Sequence, residues 1–203
     1  MNPAPSERPP AAHTPALHPP RADWRFLLSS PWHFVALGFG SGLSPIAPGT
    51  AGSLVGWGSW LLLQRVLPQP WWPALLLVAF AGGIWVCERA AHALGLHDPS
   101  PVVWDEIVAI WLVLWITQAG LHALTGHVEA VPWPLQFAGF ALFRLFDAIK
   151  RGPVGWVDRK VGGGFGIMLD DIVAAVLAAL CLGLGIMGWA FIDLWQHGLR
   201  IPT

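Results

Sequence analysis

The sequence is poor in charge: Asp, Glu, Lys and Arg make up 11% of its 203 residues, against about 25% in a typical soluble domain. Hydrophobic residues make up 55%, and the mean hydropathy is +0.56. A water-facing surface needs more charged side chains than this, so a soluble protein of buried helices is the less favoured alternative. The net charge is −1 and no basic stripe is evident, which argues against a nucleic-acid partner.

Other absences narrow the class further. The two cysteines, Cys87 and Cys181, lie in apolar runs without metal-like spacing, so neither a disulfide framework nor a zinc site is expected. No Gly-Lys-Ser/Thr sequence follows a glycine-rich loop, which disfavours nucleotide binding. The N-terminal segment has no continuous apolar region, so we do not expect it to be a cleavable signal peptide. Tyrosine is absent, whereas tryptophan occurs 14 times.

Long uncharged stretches indicate membrane helices. No charged side chain occurs within residues 26–64, 66–87, 107–128 or 172–192, and about 20 apolar residues cross a bilayer core as a helix. We therefore predict an all-α, multi-pass helical membrane protein with four to five membrane helices. The predicted helices cover residues 31–40, 52–66, 71–94, 103–124, 133–151 and 169–195. The second and fifth are short for full spans and would tilt or thin the bilayer.

The distribution of basic residues predicts the orientation. Residues 1–28 form a proline-rich tail, which we expect to be disordered, and residues 29–203 form one helical membrane domain. If the tail is cytoplasmic and five helices cross, the following basic residues lie inside: Arg8, Arg21, Arg25, Arg89, Arg144, Lys150, Arg151, Arg159 and Lys160. Only Arg65 and Arg200 lie outside, as the positive-inside rule requires.

The same topology brings four polar segments to the cytoplasmic face. They are "GSGLSPIAPGT", "HDPSPVVWDE", the end of "FRLFDAIKR" and "DRKVGGGFGIMLDD". The first two segments contain none of the basic residues that set the orientation, so their position on the same face as the other two predicts a single polar site there.

The acidic residues are the first candidates for chemistry. Asp105 and Glu106 open an uncharged helix, where acids also favour the helix dipole; two adjacent carboxylates, however, repel each other and are costly to bury without a cation. Arg144 and Asp147 share one helical face, with Lys150 three residues further on. A salt bridge at the helix edge with snorkelling cations is the alternative interpretation, but intramembrane charges commonly mark a functional site.

The remaining two segments offer a metal site and a phosphate site. Asp170 and Asp171 follow glycines that allow close approach of the backbone to a ligand, and carboxylate oxygens suit Mg²⁺, which often also binds a substrate phosphate. The Gly/Ser/Pro-rich loop near residues 40–53 could cradle a phosphate with its N–H groups, although a simple turn explains it equally well. Its hydroxyl side chains are Ser41, Ser44, Thr50 and Ser53.

Taken together, "GFGSGLSPIAPGT", "VVWDEIVAIW", "FRLFDAIK" and "DRKVGGGFGIMLDDIVA" resemble the signature blocks of the phosphatidylglycerophosphatase A family, in the same order and at similar spacing. The resemblance covers about residues 36–190. It implies a Mg²⁺-dependent phosphatase of the bacterial inner membrane, with its active site facing the cytoplasm. Such an enzyme removes the terminal phosphate of phosphatidylglycerophosphate to give phosphatidylglycerol.

The resemblance also carries over site residues. The family blocks match Thr50, Asp105, Glu106, Arg144, Asp147, Lys150, Asp158, Arg159, Asp170 and Asp171. The expected catalytic residues are Asp105, Glu106, Arg144, Asp147, Lys150, Asp170 and Asp171. The expected metal ligands are Asp105, Glu106, Asp147 and Asp171. The expected phosphate-binding residues are Ser44, Thr50, Arg144, Lys150 and Arg159.

Some positions depart from the family pattern, and two other functions compete with it. Arg151-Gly152-Pro153 replaces the usual Pro-x-Pro, and Ala109 and Ala175 replace glycines, which affects loop geometry more than chemistry. A CDP-alcohol phosphatidyltransferase would also use Mg²⁺ and aspartates at a membrane face, but its longer aspartate pattern is absent. A small transporter or assembly protein would show inverted repeats, and none is evident.

Overall fold

The computed structural model describes residues 22–126, 130–149 and 152–197, and within them the chain is helical and contains no strand. The α-helices are α1 (Trp24–Leu28), α2 (Pro31–Ala36), α3 (Pro48–Leu63), α4 (Trp72–Leu94), α5 (Trp104–Thr125), α6 (Trp133–Ile149), α7 (Pro153–Lys160) and α8 (Gly163–His197). Short 3₁₀ turns cover Gly38–Leu43 and Gln69–Trp71. The predicted all-α, multi-pass membrane fold is confirmed.

Helices α5 and α8 form the centre of the bundle. Helix α5 packs on α3, α4, α6 and α8, and α8 packs on α4, α5, α6 and α7. The first half of α5 is buried on nearly all sides, as expected for a helix that is apolar all round. The acids at its start are therefore surrounded by other helices at one end of the bundle.

Glycines let these helices approach closely. A Cβ added at Gly56 of α3 would lie 3.0 Å from the Cα of Ile107 in α5. A Cβ at Gly164 of α8 would clash with the main-chain oxygen of Ile84 in α4. Lipid tails are as apolar as the helix surfaces, so the hydrophobic effect does not drive these helices together in a membrane. Small residues at the crossings stabilise the bundle because they allow close van der Waals packing.

Within the part of the chain that the structure describes, three helical segments are long and apolar enough to cross a membrane: Gln69–Leu94, Trp104–Thr125 and Gly163–Gln196. Helices α3 and α6 have 16 and 17 residues and reach only about 24–26 Å at 1.5 Å per residue. They are the two helices that the sequence predicted to be short. Helix α8, with 35 residues, extends about 52 Å, so it exceeds the ~30 Å hydrocarbon core.

Several features differ from the sequence-based prediction. Helix α1 was not predicted, the predicted helix 31–40 is α2 followed by a 3₁₀ turn, and α3 begins at Pro48 rather than at residue 52. Helix α7 was not predicted, and α8 begins at Gly163 rather than at residue 169, because most of the opening glycines are helical. Gly163 alone among them has a positive φ, of +70°, whereas Gly164 and Gly166 allow close contact between main-chain segments. Gly164 and Gly166 thus serve helix packing; the expected contact of this glycine stretch with a ligand stays a prediction.

Helix α1 and the residues before it occupy the end of the segment assigned to the tail. Asp23 caps α1, because its Oδ1 accepts a hydrogen bond of 2.8 Å from the N–H of Phe26. Residues 1–21 of the predicted tail lie outside the described residues.

Candidate active site

The four polar segments meet at one cavity of about 240 Å³. The start of α3, the start of α5, the end of α6 and the first part of α8 contribute its walls, with the loop before α5. The lining residues are Ala47, Pro48, Gly49, Asp98, Ser100, Val102, Asp105, Glu106, Arg144, Asp147, Asp170 and Asp171. Since these ends lie on the same side of the bundle, the cavity opens at one face of the membrane domain.

Three carboxylates form the centre of this site. One oxygen each from Asp105, Glu106 and Asp171 lie within 4.8 Å of one another. Asp105 and Asp171 are 7% and 4% exposed, and Asp170 beside them is 5% exposed. Burying this much like charge in one place is costly without a compensating cation.

The helix position of Asp170 and Asp171 counts against a purely structural role for this pair. Asp105 and Glu106 lie in the first turn of α5, where Asp105 Oδ1 accepts a hydrogen bond of 3.1 Å from the N–H of Glu106. Asp170 and Asp171 lie two turns inside α8, whose first residue is Gly163. A carboxylate so far from the helix end neither caps the helix nor gains from its dipole, which acts mainly in the first turn.

Arg144 brings a cation to the acids. Its Nη1 lies 2.7 Å from Asp147 Oδ2 and 3.9 Å from Glu106 Oε1. The same atom donates a hydrogen bond of 3.4 Å to Ser53 Oγ, and Ser53 Oγ donates to the main-chain oxygen of Gly49 at 2.8 Å. Arg144 is therefore held at the cavity wall by groups from α3, α5 and α6.

Gly49 makes the room for this arrangement. A Cβ at this position would clash with Glu106 Oε1 and would lie 3.2 Å from both terminal nitrogens of Arg144. Gly49 and Ser53 are four residues apart and thus share one face of α3. That face of α3 points at the charged pair.

The donor set fits a hard divalent cation. Glu106 Oε2 and Asp171 Oδ2 are buried and have no hydrogen-bond partner among the described residues, which is rare for buried polar atoms unless a water or an ion satisfies them. Mg²⁺ holds oxygen ligands at 2.0–2.1 Å, so two ligands are at most about 4.2 Å apart. Small side-chain rotations would bring the three clustered oxygens to this spacing.

The structure brings together most of the predicted site residues, but not all of them. Asp105, Glu106, Arg144, Asp147, Asp170 and Asp171 line the cavity. Asp147 lies outside the cluster of three carboxylates and pairs with Arg144; its expected role as a metal ligand stays a prediction. Lys150 lies outside the described residues.

Three residues expected to bind phosphate are not part of the cavity lining. The hydroxyl of Ser44 donates to the main-chain oxygen of Ile46 at 2.8 Å, so it closes a turn. Thr50 follows Gly49 on α3 and is rotated by about 100° from the cavity-facing side, since a helix turns once in 3.6 residues. Arg159 is exposed near the end of α7.

Sequence reasoning missed other contributors. Asp98 and Ser100 line the cavity from the loop before α5; the sequence shows that their segment is polar but predicts no role for either residue. Gly49 was missed because its function is to leave space, and Ser53 was considered only as a phosphate ligand. Their spacing of four residues at the start of α3 was the available signal.

Comparison with known proteins agrees with this geometry. The family model described as phosphatidylglycerophosphatase A matches residues 34–186. A phosphatidylglycerophosphatase A from Escherichia coli is 40% identical over 165 residues, covering 80% of this chain and 87% of the relative. One from Haemophilus influenzae is 37% identical over 153 residues, covering 75% and 87%.

A third relative has a different description. A Bacteroides thetaiotaomicron protein, described as a candidate phosphatidylinositol-3-phosphatase, is 38% identical over 161 residues, covering 73% of this chain and 89% of the relative. No solved structure matches the chain at a significant level. The family match spans all four polar segments and every described wall of the cavity. The chain therefore belongs to the phosphatidylglycerophosphatase A family.

Proposed function

We propose that this membrane protein is a Mg²⁺-dependent phosphatidylglycerophosphatase, which hydrolyses the terminal phosphate of phosphatidylglycerophosphate to give phosphatidylglycerol for phospholipid synthesis. The observation that carries the proposal is the cavity in which Asp105, Glu106 and Asp171 converge beside Arg144. A phosphomonoester carries a charge of about −2 at neutral pH, and carboxylates alone would repel it. A site of this composition needs a metal ion before it can accept such a substrate.

In this proposal Asp105, Glu106 and Asp171 hold the Mg²⁺, with Asp170 as a further ligand or as support for Asp171. The bound ion would neutralise part of the phosphate charge and polarise its P–O bonds. The support for this assignment is the spacing of the three oxygens and the two buried oxygens of Glu106 and Asp171 described above.

Arg144 would contact the phosphate from the other wall. Its Nη1 is engaged with Asp147, Glu106 and Ser53, and a guanidinium has five N–H donors in a planar fork, so donors remain for phosphate oxygens. Asp147 would then act as a positioning residue, because it holds Arg144 in place before the substrate arrives. Lys150, three residues after Asp147 in the sequence, would add a second cation.

The reaction itself needs a water molecule and two proton transfers. We propose that the oxygen of a water attacks phosphorus while the bond from phosphorus to the terminal glycerol oxygen breaks. A carboxylate of the cavity takes a proton from the water and returns it to the departing glycerol oxygen, which leaves as a hydroxyl, so the products are phosphatidylglycerol and inorganic phosphate. Charge accumulates on the equatorial oxygens during this step, where Arg144 would stabilise it.

Direct attack by water inverts the configuration at phosphorus, whereas an aspartyl-phosphate intermediate leads to overall retention. A chirally labelled phosphate substrate therefore separates the two routes. Inversion is the expected outcome, and retention would instead assign one of the aspartates as the nucleophile.

The location of the site follows from the charge distribution. We propose that the protein resides in the bacterial inner membrane with the cavity at the cytoplasmic face, where Arg89, Arg144 and the basic residues of α7 also lie. Tethered by its acyl chains, the lipid would present its phosphate at this depth.

Phosphate release from phosphatidylglycerophosphate by the purified full-length chain tests the function. Release should occur with Mg²⁺ and stop with a chelator, and it should recover when Mg²⁺ is restored. Phosphatidylinositol 3-phosphate is the comparison substrate, because the Bacteroides relative is described by activity on such a lipid. Preferential release from the inositol lipid, or release unaffected by the chelator, would contradict the proposal.

A further inference from the structure

A second cavity, of about 300 Å³, runs along α4 and shares no lining residue with the catalytic cavity. Its walls expose apolar atoms. The residues that define this α4 groove here are Val35, Leu75, Val78, Gly82, Trp85 and Trp104. Val78 and Trp85 are 69% and 49% exposed, so the groove opens outward, toward the lipid side of the bundle.

A positive charge lies at the end of the groove. The guanidinium carbon of Arg89 lies 4.8 Å from the ring centroid of Trp85 and 5.6 Å from that of Trp32. The two indoles meet edge to face, with centroids 5.6 Å apart. This pair of cation–π contacts orients the side chain, and Trp85 belongs to both the groove and the aromatic contact.

No acid among the residues that the structure describes forms an ion pair with Arg89. Within the described part of the chain, the ion pairs join His92 to Glu88 and Arg144 to Glu106 and Asp147, and Arg89 takes part in none of them. Glu88, its neighbour in sequence, faces α8, since a Cβ at Gly163 would lie 3.3 Å from Glu88 Oε1.

The length of the groove corresponds to one leaflet. From Leu75 to Val86 the axis of α4 rises by about 16 Å, which is about half of the ~30 Å hydrocarbon core. Arg89 lies about one turn beyond Val86, at the end of α4 nearer the catalytic cavity. A phospholipid has this layout: an anionic phosphate at the interface and an apolar chain below it.

We propose that the α4 groove binds one acyl chain of an anionic phospholipid whose headgroup phosphate contacts Arg89. This site is separate from the catalytic cavity and does not depend on the hydrolytic activity. Gly82 forms an open part of the groove, because a Cβ at this position would meet nothing within 4 Å. A second copy of the chain would fit the charge less well, since it would have to place an acid at Arg89 and an apolar ridge in the groove.

Lipid retention measured by native mass spectrometry tests the proposal. The full-length protein, delipidated in detergent, is titrated with dioleoyl phosphatidylglycerol and, separately, with dioleoyl phosphatidylcholine. Two variants attack the site: Arg89→Gln removes the charge, and Gly82→Leu fills the groove. Their matched controls are Arg65→Gln, a basic residue outside the site, and Gly58→Leu, at a glycine of α3 that is equally open.

We expect the parent protein to retain phosphatidylglycerol in preference to phosphatidylcholine. Arg89→Gln should lower that retention about fivefold, which corresponds to the ~1 kcal/mol attraction of one basic side chain to an anionic lipid surface. Gly82→Leu should lower retention of both lipids, and the two controls should match the parent. Arg89→Gln changes an exposed side chain, so it keeps the test decisive if Gly82→Leu is poorly folded by size-exclusion chromatography.

Three results would overturn the proposal. Unchanged retention in both Arg89→Gln and Gly82→Leu would mean that the groove holds no such lipid. Loss of retention in Arg144→Ala, with none in Arg89→Gln, would place the lipid in the catalytic cavity. Dimers in the parent that disappear in Gly82→Leu, without a change in bound lipid, would show that a second copy covers the groove.

Discussion

Replacing Gly49 by alanine gives the sharpest test of the proposed site, because stability and activity should respond in different directions. Gly49 is the second residue of α3 and does not have a positive φ. Alanine is therefore compatible with the backbone, and it favours a helix by about 0.5–1 kcal/mol relative to glycine. The added methyl would nevertheless clash with Glu106 Oε1 and crowd the terminal nitrogens of Arg144.

The side chain of Glu106 can rotate, so we expect the helix to stay and the carboxylate to move by roughly 1 Å to ordinary contact distance. A misplacement of that size in a catalytic arrangement can cost about 100-fold in rate. Gly49→Ala should thus lose about 100-fold in phosphate release, need more Mg²⁺ for half-maximal rate, and unfold at the same temperature as the parent or slightly above it.

The matched control is Gly58→Ala, on the same helix but with nothing within 4 Å of the added Cβ. It should keep the activity and Mg²⁺ dependence of the parent and gain similar helix stability. If Gly49→Ala retained activity within a few-fold of Gly58→Ala at every Mg²⁺ concentration, the pairing of Glu106 with Arg144 would not belong to the phosphate site.

The other predictions concern the acids, the cation and the topology. Asp171→Asn should reduce phosphate release by more than about 10–100-fold, the loss that is typical when a residue hydrogen-bonded to a metal ligand is changed, and excess Mg²⁺ should partly restore it. The control Asp193→Asn, at the far end of α8, should be near neutral. Equal rates in the two variants would exclude Asp171 as a ligand. Arg144→Ala should lower kcat/KM by about 10²–10³, and Arg65→Ala should change it little; small and equal effects would make Arg144 a structural residue. For the topology, single cysteines are placed near the two ends of the chain in a background that lacks the native cysteines. On intact cells an impermeant reagent should label only the C-terminal position. Labelling of the N-terminal position alone would reverse the topology, and equal labelling would mean an even number of spans.

Hydrophobicity and charge along the chain were sufficient to predict the class of the fold. Uncharged runs such as 107–128 and 172–192 are stable only when they are buried in a bilayer or in a protein core. In the structure most of these two runs lies in the central helices α5 and α8. The extent of α8 was not predictable in this way. Its first turns are rich in glycine, which usually signals a loop, and only contact with α4 explains why Gly164 is helical there.

The four polar segments were recognisable from the sequence, and topology alone indicated that they share a face. Which side chains meet within that face depends on the rotation of each helix about its axis, and weakly amphipathic helices leave that rotation undetermined. Packing of α3, α5, α6 and α8 decides that Asp171 joins Asp105 and Glu106, while Asp147 turns to Arg144.

The sequence by itself thus determined that the protein is a helical membrane protein with acids and cations at one face. The length of each apolar run and the distribution of basic residues can be read from the linear sequence, and these two properties decide which segments enter the membrane and in which direction. Only the tertiary structure decided the composition of the site. Gly49 is the clearest case: the absence of a side chain has no signal of its own, and it acquires meaning only when Glu106 and Arg144 from two other helices occupy the space beside it.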